Sequence, residues 1–440
     1  MRKAALHNLG CKVNAYETEA MQQLLEENGY KIVPFEEKAD VYIINTCTVT
    51  NMADRKSRQM LHRAKKKNPE AVVVAAGCYT QAAHENLKED LAVDVLIGNN
   101  KKQDLIQILN TFFEQEEKVE AVIDINKEAC YEELRVTKTA EHTRAYIKVQ
   151  DGCNQFCSYC IIPYARGRVR SREQADVLSE IRALAEAGYK EVVLTGIHLS
   201  SYGIDFAKEE SAEDYLVRGA GKLLELIEAV ADIRGIERIR LGSLEPRIVT
   251  EEFAKRLSKM EKVCPHFHLS LQSGCDETLK RMNRHYTTAE YAEKCRILRT
   301  YFENASITTD IIAGFPGETE EEFAQTLRFA EDIKFFETHI FKYSVRKGTK
   351  AAGMKDQVRE EIKTARSNLL LELDEKNGKL YRESLLGKKV ELLIEEAQVI
   401  DGKTWQVGHT KEYVRAGIPG EEDRSNEIVK GIAGETIFFL

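Results

Sequence analysis

Three cysteines stand close together in the segment Asp151-Gly152-CNQFCSYC, at positions Cys153, Cys157 and Cys160. Three thiolates on one loop can bind three irons of a cubane iron–sulfur cluster, and the fourth iron then has no protein ligand. An open iron of that kind is a place where a substrate can bind. The spacing therefore predicts a reactive cluster with one free coordination position.

Structural zinc is the main alternative for such a group of cysteines, and zinc usually takes four protein ligands. No histidine or further cysteine lies between Cys160 and His198, so a fourth ligand is missing nearby. The spacing favours an iron–sulfur cluster over zinc and over a chance grouping of buried thiols.

Length and composition limit the class of protein only loosely. A chain of 440 residues is too long for one ordinary core, so we expect two or three domains. The formal charge of −8 neither supports nor excludes RNA binding, because phosphate attraction depends on the local field. No segment has the pattern of a secretion signal or a membrane span, so we expect a cytoplasmic protein without membrane contact. In that reducing compartment, ten cysteines favour metal or catalytic roles over disulfides.

The first 120 residues alternate apolar runs with helical patterns, which is typical of a parallel sheet covered by helices. The helices expected there are Ala15–Asn28 and Met52–Lys67. The strands expected there are Lys3–Leu9, Asp40–Thr46, Ala71–Ala76 and Val93–Gly98.

A second set of cysteines follows these strands. Cys11, Cys47 and Cys78 each lie just past the end of a different strand, and parallel strands end at one edge of their sheet. Taken singly, each would more often be a small buried core residue. Their shared placement predicts that the three thiols converge.

A second series of strands and helices fills the middle of the chain and is followed by a β-rich tail. Six strands favour a partial barrel that is open on one side, with functional groups on the loops after the strands. These strands are Ala145–Gln150, Glu191–Leu194, Arg238–Leu241, His266–Leu271, Ile307–Ile312 and His339–Tyr343. A charged helix is expected over Asp356–Arg382, and short tail strands over Val390–Glu395, Trp405–His409, Tyr413–Ala416 and Glu435–Leu440.

The fold expected from these patterns is α/β with three domains. Residues 1–120 form a parallel-sheet α/β domain, residues 139–370 form a partial (β/α)6 barrel, and residues 371–440 form a small β-barrel.

The cysteine loop after the first barrel strand resembles the signature of the radical S-adenosylmethionine superfamily. In that superfamily the amine and carboxylate of S-adenosylmethionine bind the open iron, and an electron passed through the cluster releases a 5′-deoxyadenosyl radical. Such a radical suits C2 of adenine, whose hydrogen is neither acidic nor activated, so acids and bases would gain little there.

Further motifs resemble the methylthiotransferase branch of that superfamily, and together they span nearly the whole chain. They are LGCKVNAYE, NTCTVT, GCYTQ, IIPYARGRVRSR, HLSLQSG at His268–Gly274 and GFPGET at Gly314–Thr319. The tail resembles the small RNA-binding TRAM-like domain of this family.

The resemblance assigns roles to the two cysteine sets and implies two [4Fe-4S] clusters. Cys153, Cys157 and Cys160 would hold the catalytic, radical-generating cluster, and Cys11, Cys47 and Cys78 would hold the cluster that delivers sulfur. For the four remaining cysteines, core packing is the better interpretation. These are Cys130, Cys264, Cys275 and Cys295.

Five residues are candidates for binding S-adenosylmethionine. Gly196 follows a strand and could let the backbone approach the methionyl amine, while Ser243 or Glu245 could reach the ribose. Gly314 and Gly317 bracket a turn that suits close approach by adenine. Glycines after strands are also common as plain turn residues, and Glu245 could simply be solvated.

The form LGCKVN, rather than a GCQMN-like form, resembles the branch that acts on N6-threonylcarbamoyladenosine at position 37 of tRNA, next to the anticodon. A sister branch modifies N6-isopentenyladenosine, and a third modifies an aspartate of a ribosomal protein. Three features favour RNA, namely the run Arg166–Arg172, the basic helix Arg55–Lys67 and the tail.

A different class of interpretation is a non-catalytic, cluster-containing RNA-binding factor. For the enzyme we expect a monomer that takes electrons from a flavodoxin or ferredoxin.

Overall fold

Six parallel strands form the N-terminal sheet of the protein, whose computed structural model describes residues 1–137, 143–206 and 215–440. The strands are β1 Lys3–Asn8, β2 Lys31–Ile32, β3 Val41–Thr46, β4 Val72–Gly77, β5 Val95–Ile97 and β6 Val119–Ala121. Their order is β2-β1-β3-β4-β5-β6. Every residue of β3 and β4 is buried, as expected for a parallel sheet covered on both faces. The covering helices are α1 Lys12–Glu27, α2 Asn51–Lys67, α3 Cys78–Lys88 and α4 Leu105–Gln115.

The middle of the chain forms the partial barrel that the sequence predicts. Its six parallel strands are β7 Arg144–Asp151, β9 Glu191–Gly196, β10 Arg238–Leu241, β11 His266–His268, β12 Ser306–Ala313 and β13 Glu337–Lys342, with the short β8 Arg170–Ser171 antiparallel to β7. Two isolated bridges, Ile239 to Val263 and Leu244 to Leu269, join the β10 and β11 edges. Among the described strands, β7 and β13 do not pair, so the barrel is open there.

Helices cover the outside of the barrel, and polar side chains face its inside. The helices are α5 Ile162–Arg166, α6 Gln174–Glu186, α7 Tyr215–Ala231, α8 Glu251–Ser258, α9 Asp276–Arg281, α10 Thr288–Tyr301, α11 Glu320–Ile333 and α12 Glu360–Leu385. On β7, Ala145, Ile147 and Val149 belong to the core shared with these helices. The alternate residues, Lys148 and Gln150, therefore face the enclosed space, which we call the barrel lumen.

Short 3₁₀ turns complete the described elements of the two α/β domains. They lie at Lys102–Asp104, Leu199–Ser201, Pro246–Ile248 and Lys350–Gly353.

Helix α1 of the N-terminal domain packs against β7 of the barrel through buried charges. Glu17 on α1 contacts Lys148 on β7 at 2.8 Å and Arg166 at 2.8 Å. Lys102 of the N-terminal domain also contacts Glu17, at 3.1 Å. Burial alone would raise the pKa of Glu17, but these three cations hold it well below its usual range. The carboxylate is thus charged and joins the two domains.

The C-terminal segment is an antiparallel half-barrel that covers the N-terminal ends of the barrel strands. Its strands are β14 Lys389–Ile400, β15 Lys403–Thr410, β16 Arg415–Pro419, β17 Ile428–Ile432 and β18 Phe438–Phe439, in the order β17-β14-β15-β16-β18. Arg238 and Arg240 of β10 donate to backbone carbonyls of this sheet, including His409 and Lys411 at 3.0 Å each.

The sequence predicts the fold class correctly and misses four strands, β2, β6, β8 and β17. The first two have only two and three residues, which is too short for an alternating pattern to be visible. The predicted domain boundary at 139 lies outside the described residues, and the boundary at 371 lies within α12, so the domain ranges stay predictions. In the described part of the chain, no helix has the length and apolarity that crossing a bilayer requires.

Candidate active site

The Cys153 loop begins directly after β7, at a glycine that no other residue could replace without rearrangement. Gly152 has φ +72°, and a Cβ there would lie 1.8 Å from the carbonyl oxygen of Arg168. The next amide, of Cys153, donates to the carbonyl of Gly167 at 3.0 Å. The loop is therefore fixed at its start by close backbone packing.

The three thiols of this loop are half-buried, and burial keeps two of them, Cys153 and Cys160, protonated in the absence of a metal. Burial raises the pKa of Cys153 to about 11 and that of Cys160 still further. Nη1 of Arg284 donates to Sγ of Cys157 at 3.4 Å. A bound cluster would supply the positive charge that buried thiolates require, and the arginine would add to it.

The spread of the thiols suits a cluster better than a single zinc ion. Three thiolates on tetrahedral zinc would lie about 3.8 Å apart, given a Zn–S bond of about 2.3 Å. Among the described residues, only one group of three or more His, Cys, Asp or Glu ligand atoms lies within 4.8 Å of one another, and it contains no cysteine. The residues of the loop therefore fit a larger inorganic core with three thiolate ligands.

The second set of cysteines converges at the carboxyl edge of the N-terminal sheet, as the strand order predicts. Cys11 caps the start of α1, Cys47 follows β3, and Cys78 is the first residue of α3. A Cβ on Gly10 would lie 2.9 Å from Sγ of Cys47, so the absent side chain lets the Cys11 turn approach it. Burial raises the pKa of Cys47 to about 11, with smaller contributions from the nearby Cys78 and Cys11.

Arg166 follows the Cys153 loop closely in the chain and contacts Cys78 of the second cysteine set. It ends α5, a five-residue helix that starts two residues after Cys160 and spans about 7.5 Å. Its Nε donates to Sγ of Cys78 at 3.1 Å, while its Nη1 contacts Glu17 at 2.8 Å and Asp151 at 3.1 Å. The two thiol groups therefore face a common region at the carboxyl ends of two neighbouring sheets.

The run Arg166–Arg172 is not the exposed basic patch that the sequence suggested. Arg166, Arg170 and Arg172 are buried, and only Arg168 is exposed. Arg172 forms an ion pair with Glu180. The buried charges are balanced by the carboxylates of Glu17, Asp151 and Glu180, so this run offers little to RNA phosphates.

The predicted S-adenosylmethionine residues line the loops at the carboxyl ends of the barrel strands. A Cβ on Gly196 would meet the Gln150 side chain at 2.8 Å. The hydroxyls of Ser243 and Ser270 lie 2.8 Å apart. Glu245 is buried, and its Oε1 accepts from Nε of Arg247 at 2.7 Å.

The two glycines of the GFPGET turn differ in their surroundings. A Cβ on Gly314 would lie 2.4 Å from Cγ of Lys363, so helix α12 already occupies that space. At Gly317 the nearest atom is Nε of Arg281, at 3.5 Å. A Cβ on Gly317 would therefore make only ordinary contacts, and the roles of all five candidates stay predictions.

His198, which lies two residues after Gly196, is a residue of the site that the sequence motifs did not indicate. Its Nδ1 lies 2.6 Å from Oγ of Ser201, whereas its buried Nε2 has no hydrogen-bond partner among the described residues. Burial, together with Arg284 and Arg247, lowers its pKa to about 3. This neutral imidazole has a free nitrogen at the site. Its position on a loop after a barrel strand was the signal that could have identified it.

A group of two histidines and an aspartate lies in the lumen. Asp310 contacts Nε2 of His268 and Nδ1 of His339, each at 3.2 Å. Hydrogen bonds to Asp310 and Glu337 raise the pKa of His339 to about 10. Burial opposes ionisation of Asp310, but the two histidines keep its pKa far below the usual range.

The inner end of the lumen is closed by Tyr413 from the C-terminal half-barrel. Its ring stacks on His266 with centroids 4.7 Å apart and lies 4.7 Å from the guanidinium carbon of Arg240. The Nζ of Lys12, the first residue of α1, lies 6.0 Å from the same ring. Residues from all three parts of the chain thus meet inside the barrel.

The four cysteines outside these sets were expected to pack in the core. Three of them, Cys264, Cys275 and Cys295, are buried as expected. Cys130 is exposed, so the expectation is wrong for this residue, which lies in the irregular segment between the first two domains.

Two family models match the chain. The model described as Radical SAM superfamily matches residues 147–330, and the model described as Uncharacterized protein family UPF0004 matches residues 3–98. The second match covers the segment that carries Cys11, Cys47 and Cys78.

Curated relatives match over nearly the full length. The Threonylcarbamoyladenosine tRNA methylthiotransferase MtaB of Bacillus subtilis is 41% identical, over 98% of this chain and 93% of the relative. The protein of the same name from Aquifex aeolicus is 41% identical, over 90% and 94% of the two chains. A tRNA-2-methylthio-N(6)-dimethylallyladenosine synthase of a Thermoanaerobacter species is 36% identical, over 89% and 81%.

Among solved structures, the radical S-adenosylmethionine methyltransferase TsrM of Kitasatospora setae, with cobalamin and a [4Fe-4S] cluster bound, has a similar fold. Its TM-score is 0.57 at 16% identity, covering 80% of this chain and 74% of TsrM. This likeness concerns the fold alone.

Proposed function

Because this chain belongs to the radical S-adenosylmethionine tRNA methylthiotransferase family, we propose that it methylthiolates C2 of N6-threonylcarbamoyladenosine at position 37 of tRNA. The observation that carries the proposal is the full-length similarity to relatives named for that reaction, and the presence of two cysteine sets supports it. The product would be 2-methylthio-N6-threonylcarbamoyladenosine.

Membership of the radical S-adenosylmethionine superfamily implies S-adenosylmethionine and one [4Fe-4S] cluster. When bound, these cofactors supply the radical chemistry that an unactivated C–H bond requires. The chain itself contributes the three thiolates Cys153, Cys157 and Cys160 and the Arg284 guanidinium beside them. The Nε2 of His198, which has no hydrogen-bond partner among the described residues, would orient S-adenosylmethionine above the lumen together with Gly196, Ser243 and Glu245.

A second [4Fe-4S] cluster, held by Cys11, Cys47 and Cys78, forms part of the proposal. The convergence of these thiols at one sheet edge supports it, as does the hydrogen bond from Arg166 to Cys78. The Arg166 guanidinium would balance negative charge on the thiolates and hold this cluster towards the barrel. Its proposed role is to present sulfur to the base in the lumen.

The anticodon region of tRNA would bind along helix α2, beside the open edge of the barrel. Arg55, Lys56 and Lys66 are exposed on this helix, where they can contact phosphates. Arg346, after β13, contacts Asp54 of α2 at 2.8 Å and so fixes the helix at that edge. Phe341, on β13, is 46% exposed and offers an aromatic surface to an unstacked base.

Nucleoside analysis tests the substrate assignment. tRNA from cells with and without the gene is digested and compared by mass spectrometry. We expect the loss of 2-methylthio-N6-threonylcarbamoyladenosine alone. Loss of the methylthio derivative of N6-isopentenyladenosine instead would assign the chain to the branch represented by the dimethylallyladenosine synthases.

A non-catalytic RNA-binding factor is the alternative of a different class. It would bind clusters and tRNA but would form no 5′-deoxyadenosine from S-adenosylmethionine under anaerobic, reducing conditions. Formation of 5′-deoxyadenosine by the reconstituted protein therefore separates the two functions. A flavodoxin or ferredoxin as electron donor, a monomeric state and a place in the cytoplasm complete the proposal.

A further inference from the structure

Lys12 has an unusual position for a lysine side chain. It is the first residue of α1 and directly follows Cys11, one of the proposed ligands of the second cluster. The side chain is partly buried and points towards the lumen, where its Nζ lies 6.0 Å from the Tyr413 ring centroid. Among the residues that the structure describes, it makes no hydrogen bond or ion pair within the usual distances. Glu191 and Glu337 are the nearby carboxylates, but no carboxylate of the described residues lies within 4.0 Å of this ammonium group.

The other cations around Tyr413 are already matched with carboxylates. Nε of Arg240 lies 2.9 Å from Glu191, and Nη2 of Arg144 lies 3.4 Å from Glu395. These arginines have little charge to offer a ligand. Lys12 is therefore the cation of this group that is available for binding.

An unpaired ammonium in a partly dehydrated space has a high free energy, which an anion relieves when it binds there. Tyr413 and Phe341 make the lumen suitable for a nucleoside, and a nucleoside that enters it brings any acidic substituent with it. RNA phosphates remain on the outer surface, where the exposed lysines of α2 can reach them. The position of Lys12 therefore suits a carboxylate on the modified base rather than the backbone.

We infer that Lys12 binds the threonyl carboxylate of the substrate nucleoside and so determines which modified adenosine the enzyme accepts. The inference rests on the proposed function and adds the residue that would recognise the acidic side chain. It also explains the neighbouring positions of Lys12 and Cys11, because one helix terminus would hold the substituent while presenting sulfur to the ring of the same nucleoside.

Two tRNAs that differ only in charge test this inference. One carries N6-threonylcarbamoyladenosine at position 37, and in the other the threonyl carboxyl is converted to its primary amide. Anaerobically reconstituted wild type, Lys12→Gln and Lys56→Gln proteins are compared. The dissociation constant of each tRNA and the yield of its methylthio product are measured, with S-adenosylmethionine affinity as a check on the fold.

We expect the wild type to bind the carboxylate form about 10- to 100-fold more tightly than the amide, as one charge-assisted contact would give. Lys12→Gln should bind both forms equally and keep its affinity for S-adenosylmethionine. Lys56→Gln, on the exposed face of α2, should weaken both tRNAs by the same factor and keep the preference.

The inference is overturned if the wild type does not distinguish the two tRNAs, or if Lys12→Gln keeps the preference for the carboxylate. It is also overturned if Lys12→Gln lowers the affinity for both tRNAs by the same factor, because that result would indicate a contact with phosphate. Failure of the proposed function has a different signature, in which the wild type methylthiolates neither tRNA but modifies one that carries N6-isopentenyladenosine.

Discussion

The Nε of Arg166 lies 3.1 Å from the Sγ of Cys78, although the two residues are 88 positions apart in the chain. The same guanidinium contacts Glu17 at 2.8 Å and Asp151 at 3.1 Å, and all four side chains are buried. A single side chain of the barrel therefore contacts a proposed cluster ligand and satisfies two buried carboxylates.

Replacement of Arg166 by Gln should destabilise the protein strongly. Glu17 and Asp151 would lose a buried partner, and breaking such a pair costs about 3–5 kcal/mol. The measurement is the free energy of unfolding by urea under anaerobic conditions. Arg168→Gln is the matched control, because Arg168 belongs to the same run but is exposed; it would lose only the contact with the Phe156 ring, at a cost of up to about 1 kcal/mol. Equal losses for both variants would contradict the assigned role of Arg166.

Variants of the two cysteine sets should have different effects on cleavage of S-adenosylmethionine and on methylthiolation. Cys157→Ala removes a ligand of the radical-generating cluster and should abolish 5′-deoxyadenosine formation. Cys47→Ala should keep some cleavage and lose the methylthio product, as measured by liquid chromatography and mass spectrometry. Cys130→Ala, at an exposed cysteine outside both sets, should change neither readout. Full methylthiolation by Cys47→Ala would refute the assignment of the second cluster.

Gly152→Ala should disrupt the first cysteine loop. The new Cβ would lie 1.8 Å from the Arg168 carbonyl oxygen, so the backbone must move. We expect a loss of the iron bound by one cluster, measured by iron analysis after anaerobic reconstitution, together with loss of 5′-deoxyadenosine formation. Gly188→Ala is the control, because Gly188 also has positive φ, at +95°, but has no atom within 4 Å of the added Cβ. Unchanged iron content in Gly152→Ala would show that the loop tolerates the shift.

His339 should titrate far above the usual range for histidine. Hydrogen bonds to Asp310 and Glu337 raise its pKa from 6.5 to about 10. A raised pKa in the folded state means that this group stabilises the fold fully below pH 6.5 and loses that contribution as the pH rises through 10. Carbon-13 NMR of the labelled imidazole gives the titration midpoint. Asp310→Asn should lower the midpoint, whereas Asp90→Asn, beside the distant His62, should leave it unchanged.

The order of strands and helices could be predicted from the sequence, because each element is marked by a local pattern of apolar residues. The strand ends that carry Cys11, Cys47 and Cys78 follow from apolar runs and from the geometry of parallel sheets, and β10 has the bounds Arg238–Leu241 that were predicted. Helix α1 starts three residues earlier than expected, at Lys12, since Cys11 itself is the cap residue.

The properties that could not be predicted depend on contacts between distant parts of the chain. The run that contains Arg166 suggests RNA binding when its charges are considered alone, because its partner Glu17 lies 149 residues away. Likewise, no local pattern shows that Lys12 faces Tyr413, or that the buried Nε2 of His198 has no partner in the described part of the chain. Charge pairing across domains has no periodic signature in a sequence.

The buried charges around Glu17 have a consequence for how this protein can be divided. An isolated barrel would leave Lys148 and Arg166 with Asp151 but without Glu17, and an isolated N-terminal domain would keep Glu17 facing water with Lys102 alone. Neither isolated domain would keep the structure that it has in the full-length protein. The distance between the two cysteine sets is thus fixed when the chain folds. The tRNA must therefore place its nucleoside between two sites that do not move relative to each other.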